Sequence, residues 1–113
     1  MLRCMPMSDL NQYLYRIQAV RPAMLTDAPT ADEARLVGEH FAYLKRLRDE
    51  GVVLLAGRTQ TADLASFGII IFRAPDDAAA QRVVDNDPAV VNRVMRAELF
   101  PYRIAVLGDF SGI

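Results

Sequence analysis

Residues 30–50 constrain the fold more than any other segment, because the sequence marks both ends of a helix and its period. Thr30 followed by Glu33 matches the capping box that begins helices, and Gly51 is the residue type that follows helix ends. Between them, apolar side chains recur at helical spacing, at Val37, Phe41, Leu44 and Leu47, with Leu36 and Tyr43 at the margin. The pattern predicts one long amphipathic helix with one buried side.

Four strand-like segments flank this helix, at residues 12–21, 52–56, 67–73 and 97–107. Pro75-Asp76 predicts the start of a second helix that ends near Asp85, and Asp87-Pro88 predicts a short third turn to about Met95. Pro101 lacks the N–H of a strand ladder, which favours an edge position or a bulge for the last strand. Residues 22–29 are expected to form a loop.

The resulting order, β-α-β-β-α-β, is that of the ferredoxin-like α+β fold, in which both helices lie on one face of a four-stranded antiparallel sheet. A sheet face that meets water normally alternates apolar with polar residues, but residues 67–72 are apolar on both sides. Soluble monomers avoid large apolar patches. We therefore expect a second copy of the chain to cover the bare face, related by a two-fold axis.

The first strand is the exception, because Arg16 and Gln18 share a face with Leu14 and Val20. The two polar side chains could line a cavity between the sheet and its cover. Alternatively, the strand lies near an edge and Arg16 reaches solvent.

The chain has 113 residues, enough for one domain. We expect an N-terminal extension over residues 1–11, with either Met1 or Met7 as the start, a domain over 12–107 and a tail over 108–113. The net charge of −1, without a basic patch, argues against a nucleic-acid partner. No apolar run approaches the roughly 20 residues that span a bilayer, and no secretory signal is evident. A cytoplasmic protein without a membrane partner is expected.

One cysteine and one histidine argue against a disulfide framework and a zinc site. The histidine, His40, follows Val37 by three residues and precedes Leu44 by four, so it lies on the buried stripe. It is either a structural histidine bonded to backbone or a general acid or base at the floor of a pocket. Asp87 is either a helix N-cap before proline or a second functional residue.

Arg16 and Arg58 are candidates to bind an anionic group of a substrate, although each can be a solvated arginine. Tyr13, Tyr15 and Tyr102 are interpreted as packing residues with polar tips. Glycine-rich phosphate loops and the nucleophile-elbow motif do not occur, so nucleotide binding and serine-hydrolase chemistry lack their usual signals.

Several stretches together resemble the YCII-related (YciI-like) family of the dimeric α/β-barrel superfamily. They are HFAYLKRLRDEGVVLLAGR from His40, SFGIIIFRAPDDAAAQRVVDNDP, and the closing VMRAELFPYRIAVL. The resemblance covers about residues 13–107 and implies a ferredoxin-like domain that dimerises through its sheets. It also implies a catalytic pair at His40 and Asp87, with proton transfer on a small ring compound and no metal or organic cofactor.

The chain departs from the family where many members have Ala-Gly after Asp-Pro, because here the pair is Asn92-Arg93. We expect these two polar side chains to lie near the pocket, and the loop over residues 22–29 to cover the mouth of the pocket. Two main functions stay open. One is a cofactor-independent lyase or isomerase, and the other is a non-catalytic homodimer that binds a small ligand. A third reading is a haem-handling monooxygenase with His40 as axial ligand.

Overall fold

The computed structural model describes residues 11–61, 63 and 65–109. Its elements are β1 (Asn11–Ala19), α1 (Ala23–Thr26), α2 (Ala31–Asp49), β2 (Val53–Arg58), β3 (Gly68–Ala74), α3 (Asp77–Asp85), α4 (Pro88–Val91) and β4 (Met95–Tyr102). The four strands form one antiparallel sheet in the order β2-β3-β1-β4. The predicted α+β ferredoxin-like fold is confirmed. The expected N-terminal extension lies outside the described residues apart from Asn11, as do residues 110–113 of the tail.

The two ends of α2 follow from local chemistry. The Thr30 side chain accepts a hydrogen bond from the Glu33 backbone N–H, and the Glu33 carboxylate accepts from the Thr30 N–H. This is the capping box that the sequence predicts. After the helix, Gly51 adopts φ +81°, a left-handed conformation that glycine reaches without a Cβ clash.

The core lies between α2, α3 and one face of the sheet. Alternate β1 residues, Tyr13, Tyr15 and Ile17, point into it and are buried. Ile70 and Phe72 of β3 pair with Tyr15 and Tyr13 and point the same way. The aromatic rings of Tyr13 and Tyr15 both contact Phe72, with centroids 5.7 Å apart in each pair.

β1 is a central strand, so the alternative that placed it near an edge was wrong. Of the two expectations for the last strand, an edge position or a bulge, the edge position is confirmed, since β4 pairs only with β1 among the described strands. β4 ends at Tyr102 and not at Leu107, and within the described residues its last pair with β1 is Gln12–Tyr102. The first strand likewise stops at Ala19, short of the predicted Arg21.

Two further boundaries differ from the sequence prediction. β2 continues past Ala56 to Arg58, because Gly57 and Arg58 still pair with β3. The third turn ends at Val91, after which Arg93 takes a left-handed φ of 59° and β4 begins at Met95. The predicted loop over residues 22–29 contains the short helix α1.

The conformational requirement at Gly51 gives a matched pair of substitutions. Gly51→Ala should lower the free energy of unfolding by about 1–2 kcal/mol, because alanine is strained in the left-handed region. Gly38→Ala, within α2, should raise it by roughly 0.5–1 kcal/mol, since a Cβ there meets nothing within 4 Å. Urea unfolding of both variants measures the difference, and equal effects would contradict this account of the helix end.

Candidate functional site

His40 and Asp87 meet in the interior between α2 and the start of α4. His40 is 2% exposed and Asp87 is fully buried. The His40 Nδ1 lies 2.7 Å from Asp87 Oδ2 and 2.8 Å from Oδ1. The two residues are 47 positions apart in sequence, so the contact depends on the packing of α2 against α4 and not on local structure.

Asp87 also caps α4. Its Oδ1 accepts a hydrogen bond of 3.0 Å from the backbone N–H of Ala89, with Pro88 at the first helical position. The N-cap role and the contact with His40 were alternatives in the sequence, but one carboxylate makes both sets of bonds. Neither reading of Asp87 therefore excludes the other.

Tyr15 is a third member of the cluster. Its hydroxyl donates a hydrogen bond of 2.8 Å to Asp87 Oδ2. Burial, followed by the negative charge of Asp87, raises the pKa of Tyr15, so its hydroxyl stays a neutral donor near physiological pH. From the sequence alone, Tyr15 was interpreted as a packing residue with a polar tip. A buried tyrosine does need a partner for its hydroxyl, but the sequence did not show which partner.

The hydrogen bonds fix the roles of the two His40 nitrogens. Both Asp87 oxygens accept, from Tyr15 and from the Ala89 N–H, as an ionised carboxylate does. The neutral His40 ring then carries its proton on Nδ1, which donates to Asp87. Within the described residues no protein group bonds Nε2, and every fully buried side-chain N or O has a partner. Nε2 is therefore not fully buried, and in this tautomer it holds the free lone pair.

A cavity of about 180 Å³ lies beside His40, between α2 and the end of the sheet where β1 stops and β3 begins. Its wall is mainly apolar, with Phe41 and Leu44 from α2, Ile17 from β1 and Ile70 from β3. The ring of Phe41 stands edge-on to that of His40, with centroids 5.3 Å apart. A small ligand in this cavity would meet apolar surface and the accessible edge of His40.

Helix α1 forms part of the cavity wall. Its Met24 and Leu25 line the space. That the segment over residues 22–29 covers the mouth of the pocket stays a prediction. Arg21 holds the base of this segment, because its guanidinium donates to Glu33 and to the Ala28 carbonyl. These bonds, together with the Thr30 N–H, lower the pKa of Glu33 to about 2.

The two candidate arginines occupy different places. Arg58 lies at the end of β2 and lines the His40 cavity. Arg16 is not brought together with His40, because it points from the opposite face of the sheet and pairs with Glu98. Its guanidinium lies 5.8 Å from the ring centroid of Phe67, a residue that does line the cavity. A substrate role for Arg16 stays a prediction.

No cluster of three or more His, Cys, Asp or Glu side chains suited to a metal ion occurs in the described part of the chain. None of the helices described there is long and apolar enough to cross a bilayer.

Comparison with known proteins places the chain in a family. The family model of the YCII-related domain matches residues 12–102, most of the chain. The chain belongs to the YCII-related domain family. No curated protein matches its sequence.

Solved structures of dimeric α/β-barrel proteins are similar to this chain in fold. The 5-chloro-2-hydroxyhydroquinone dehydrochlorinase from Burkholderia phenoliruptrix, in complex with 2,5-dihydroxybenzoquinone, has a TM-score of 0.61 at 19% identity, over 81% of this chain and 93% of that one. An uncharacterized protein from Thermotoga maritima has a TM-score of 0.54 at 10% identity, over 83% of this chain and 99% of that one. A candidate antibiotic biosynthesis monooxygenase from Bacteroides thetaiotaomicron has a TM-score of 0.54 at 18% identity, over 89% of this chain and 94% of that one.

The expected place of the Asn92-Arg93 side chains near the pocket finds no support in the cavity wall. Both residues are exposed, and neither lines the space beside His40. Asn92 donates to the Pro88 carbonyl at the end of α4. Arg93 has a positive φ of 59°, the conformation for which glycine is best suited. A glycine in many family members thus matches a backbone requirement.

The Tyr15–Asp87 bond predicts an alkaline dependence of stability. A folded-state pKa above the unfolded value means that the stability is fully present below about pH 10 and is lost as pH rises further. Tyr15→Phe should lower the free energy of unfolding by about 1–3 kcal/mol at pH 8, because a buried acceptor loses a donor. Its stability should then fall less steeply between pH 9 and 11 than that of the wild type.

Tyr102→Phe is the matched control, since Tyr102 is 43% exposed. Its stability should follow the wild-type slope. Urea unfolding at several pH values measures both effects, and identical slopes for wild type and Tyr15→Phe would contradict the assignment.

Proposed function

We propose that this protein is a cofactor-independent acid/base enzyme of the lyase or isomerase type, which moves a proton on a small cyclic compound. His40 is the catalytic acid or base, and Asp87 is the residue that orients it. The observation that carries the proposal is the accessible Nε2 of His40 beside a small apolar cavity, with Nδ1 held by a buried carboxylate.

The step needs neither an oxidant nor a reductant. Nε2 takes a proton from the substrate, and the bonding electron pair stays in the ring system as an enolate. The enolate then takes the proton back at another ring atom, which is an isomerisation, or expels a leaving group such as chloride with its bonding pair, which is an elimination. Asp87 stabilises the imidazolium that exists between the two events, as a carboxylate beside a catalytic histidine does.

The non-catalytic alternative is supported by the same cluster. Asp87 caps α4 and bonds Tyr15, so the His40–Asp87 contact can serve stability alone. Breaking a buried network of this kind costs several kcal/mol. The two functions therefore differ in what His40 substitution changes first, turnover or stability.

The B. phenoliruptrix dehydrochlorinase suggests the first substrate to test, 5-chloro-2-hydroxyhydroquinone. A second assay follows deuterium uptake from D2O into an unsaturated ring lactone. His40→Gln should lower turnover by at least about 100-fold, because general acid/base groups contribute roughly 10²–10⁴-fold. Its melting temperature should stay near that of the wild type, because the glutamine side-chain amide can donate to Asp87 in place of Nδ1. Arg103→Gln, an exposed cation outside the cavity, is the control and should retain wild-type turnover.

Wild-type turnover that survives His40→Gln would contradict the enzymatic role of His40. Absence of chloride release and of deuterium uptake in the wild type, with a large loss of stability in His40→Gln, would favour the binding protein.

We further propose that the protein acts as a homodimer with its sheet faces packed together. The face away from the helices presents Leu14, Leu55, Ile71, Phe100 and Tyr102. Phe100 and Tyr102 are each 43% exposed and Leu55 is 37% exposed. An apolar surface of this kind is typical of an interface, and a self-complementary contact is the commonest way to cover it.

Light scattering coupled to size exclusion tests the dimer. The wild type should elute at twice the mass of one chain, and Phe100→Glu should shift it toward the monomer because a carboxylate is buried without a partner. Val91→Glu is the matched control, since Val91 is 58% exposed on α4, outside the sheet. It should remain dimeric. A wild-type monomer, or a dimer unaffected by Phe100→Glu, would contradict the proposed interface.

A further inference from the structure

The size of the cavity beside His40 limits what it can hold. Its volume is about 180 Å³. An apolar protein cavity of roughly 150 Å³ binds benzene. The space therefore fits one six-membered ring with a few small substituents, and two fused rings exceed it.

The charge of the cavity wall is of one sign. Arg58 is the one Lys, Arg, Asp or Glu among the lining residues, all of which the structure describes. Its position on the same face of the sheet as the cavity follows from its pairing with Gly68, which itself pairs with Ile17. Asp87 lies behind His40 and does not line the space. A ligand in the cavity thus meets a guanidinium without an opposing carboxylate.

The Arg58 guanidinium also has no bonding partner among the described residues. Several arginines of this chain pair with carboxylates, among them Arg16, Arg21 and Arg35. The Arg58 side chain makes no ion pair or hydrogen bond within the part of the chain that the structure describes. A guanidinium binds carboxylate or other anionic oxygens through two parallel N–H groups. Its binding capacity is therefore available to a ligand.

The aromatic side chains that line the cavity favour a ligand with a flat ring. Phe41 and Phe67 both line the space, and Phe41, although large and apolar, is 49% exposed. Exposed aromatic surface beside a cavity gains from stacking or edge contacts with a ligand ring. Phe41 further places its ring next to His40, so a ligand ring against it lies near Nε2.

We propose, building on the acid/base function above, that the substrates of this site are monocyclic anions. They carry an ionised oxygen as carboxylate, phenolate or enolate on a single flat ring. Arg58 holds that oxygen at the mouth of the cavity, while the ring lies against Phe41 with a second polar group at Nε2 of His40. Arg58 is thus the residue that selects for charge, and the cavity volume selects for one ring.

Benzoate, benzamide and 2-naphthoate are suitable probes, because they separate charge from ring number. Their binding is followed through the ring signals of His40, the single histidine, and by calorimetry at low salt. Benzoate should bind at least about tenfold more tightly than the neutral benzamide, as a charge-assisted hydrogen bond provides. It should also bind at least about tenfold more tightly than 2-naphthoate.

Two variants assign the charge preference to Arg58. Arg58→Gln should reduce benzoate affinity to the benzamide level and leave benzamide binding unchanged. Lys45→Gln is the matched control, an exposed cation of α2 that does not line the cavity, and it should bind benzoate as the wild type does.

Equal affinities for benzoate and benzamide, no saturable benzoate binding, or benzoate affinity unaffected by Arg58→Gln would overturn the anionic class. Equal affinity for 2-naphthoate would overturn the limit to one ring. These results are independent of turnover. If benzoate does not bind as predicted, proton transfer by His40 is still tested by the turnover assay. If the wild type shows no turnover, the benzoate titration still tests the charge preference.

Discussion

The buried carboxylate of Asp87 is the interaction on which the site depends. It accepts hydrogen bonds from the Tyr15 hydroxyl, from His40 Nδ1 and from the Ala89 backbone N–H. These donors belong to β1, α2 and α4, so one side chain joins the centre of the sheet to two helices. A buried charge is costly unless it is fully hydrogen-bonded, so the Asp87 carboxylate needs all three donors. The geometry at His40 is therefore fixed by the packing of the whole domain.

The sheet separates two surfaces with different properties. The face toward the helices carries the core and, at one end, the cavity beside His40. The other face carries apolar side chains together with the Arg16–Glu98 pair. Strand alternation alone produces this division, since neighbouring residues such as Tyr15 and Arg16 point to opposite sides. The proposed chemistry on one face and the proposed association on the other can thus change independently in the sequence.

Local sequence signals predicted much of this structure. The bounds of α2 were predictable because a capping box and a glycine act within a few residues of the helix ends. The buried position of His40 followed from its spacing to Val37 and Leu44. The edge position of β4 was one of two alternatives, with a bulge, that Pro101 favoured because it lacks a ladder N–H.

Contacts between distant residues were not predictable in the same way. Tyr15 and Asp87 are 72 residues apart, and Arg16 and Glu98 are 82 apart. No local pattern says which acceptor a buried tyrosine finds, or on which side of a cavity an arginine lies. The pairing of His40 with Asp87 was suggested by family resemblance, and the structure adds the Tyr15 bond and the accessible Nε2.

The most direct test of this account is the tautomer of the His40 ring, read from the ¹⁵N shifts of the single histidine in a labelled sample. The neutral form of the ring should carry its proton on Nδ1 and leave Nε2 unprotonated. In Asp87→Asn, where the side-chain amide can donate to Nδ1, the proton should move to Nε2. A neutral wild-type ring protonated on Nε2 would contradict the central claim, because the nitrogen toward the cavity would have no lone pair to accept a proton.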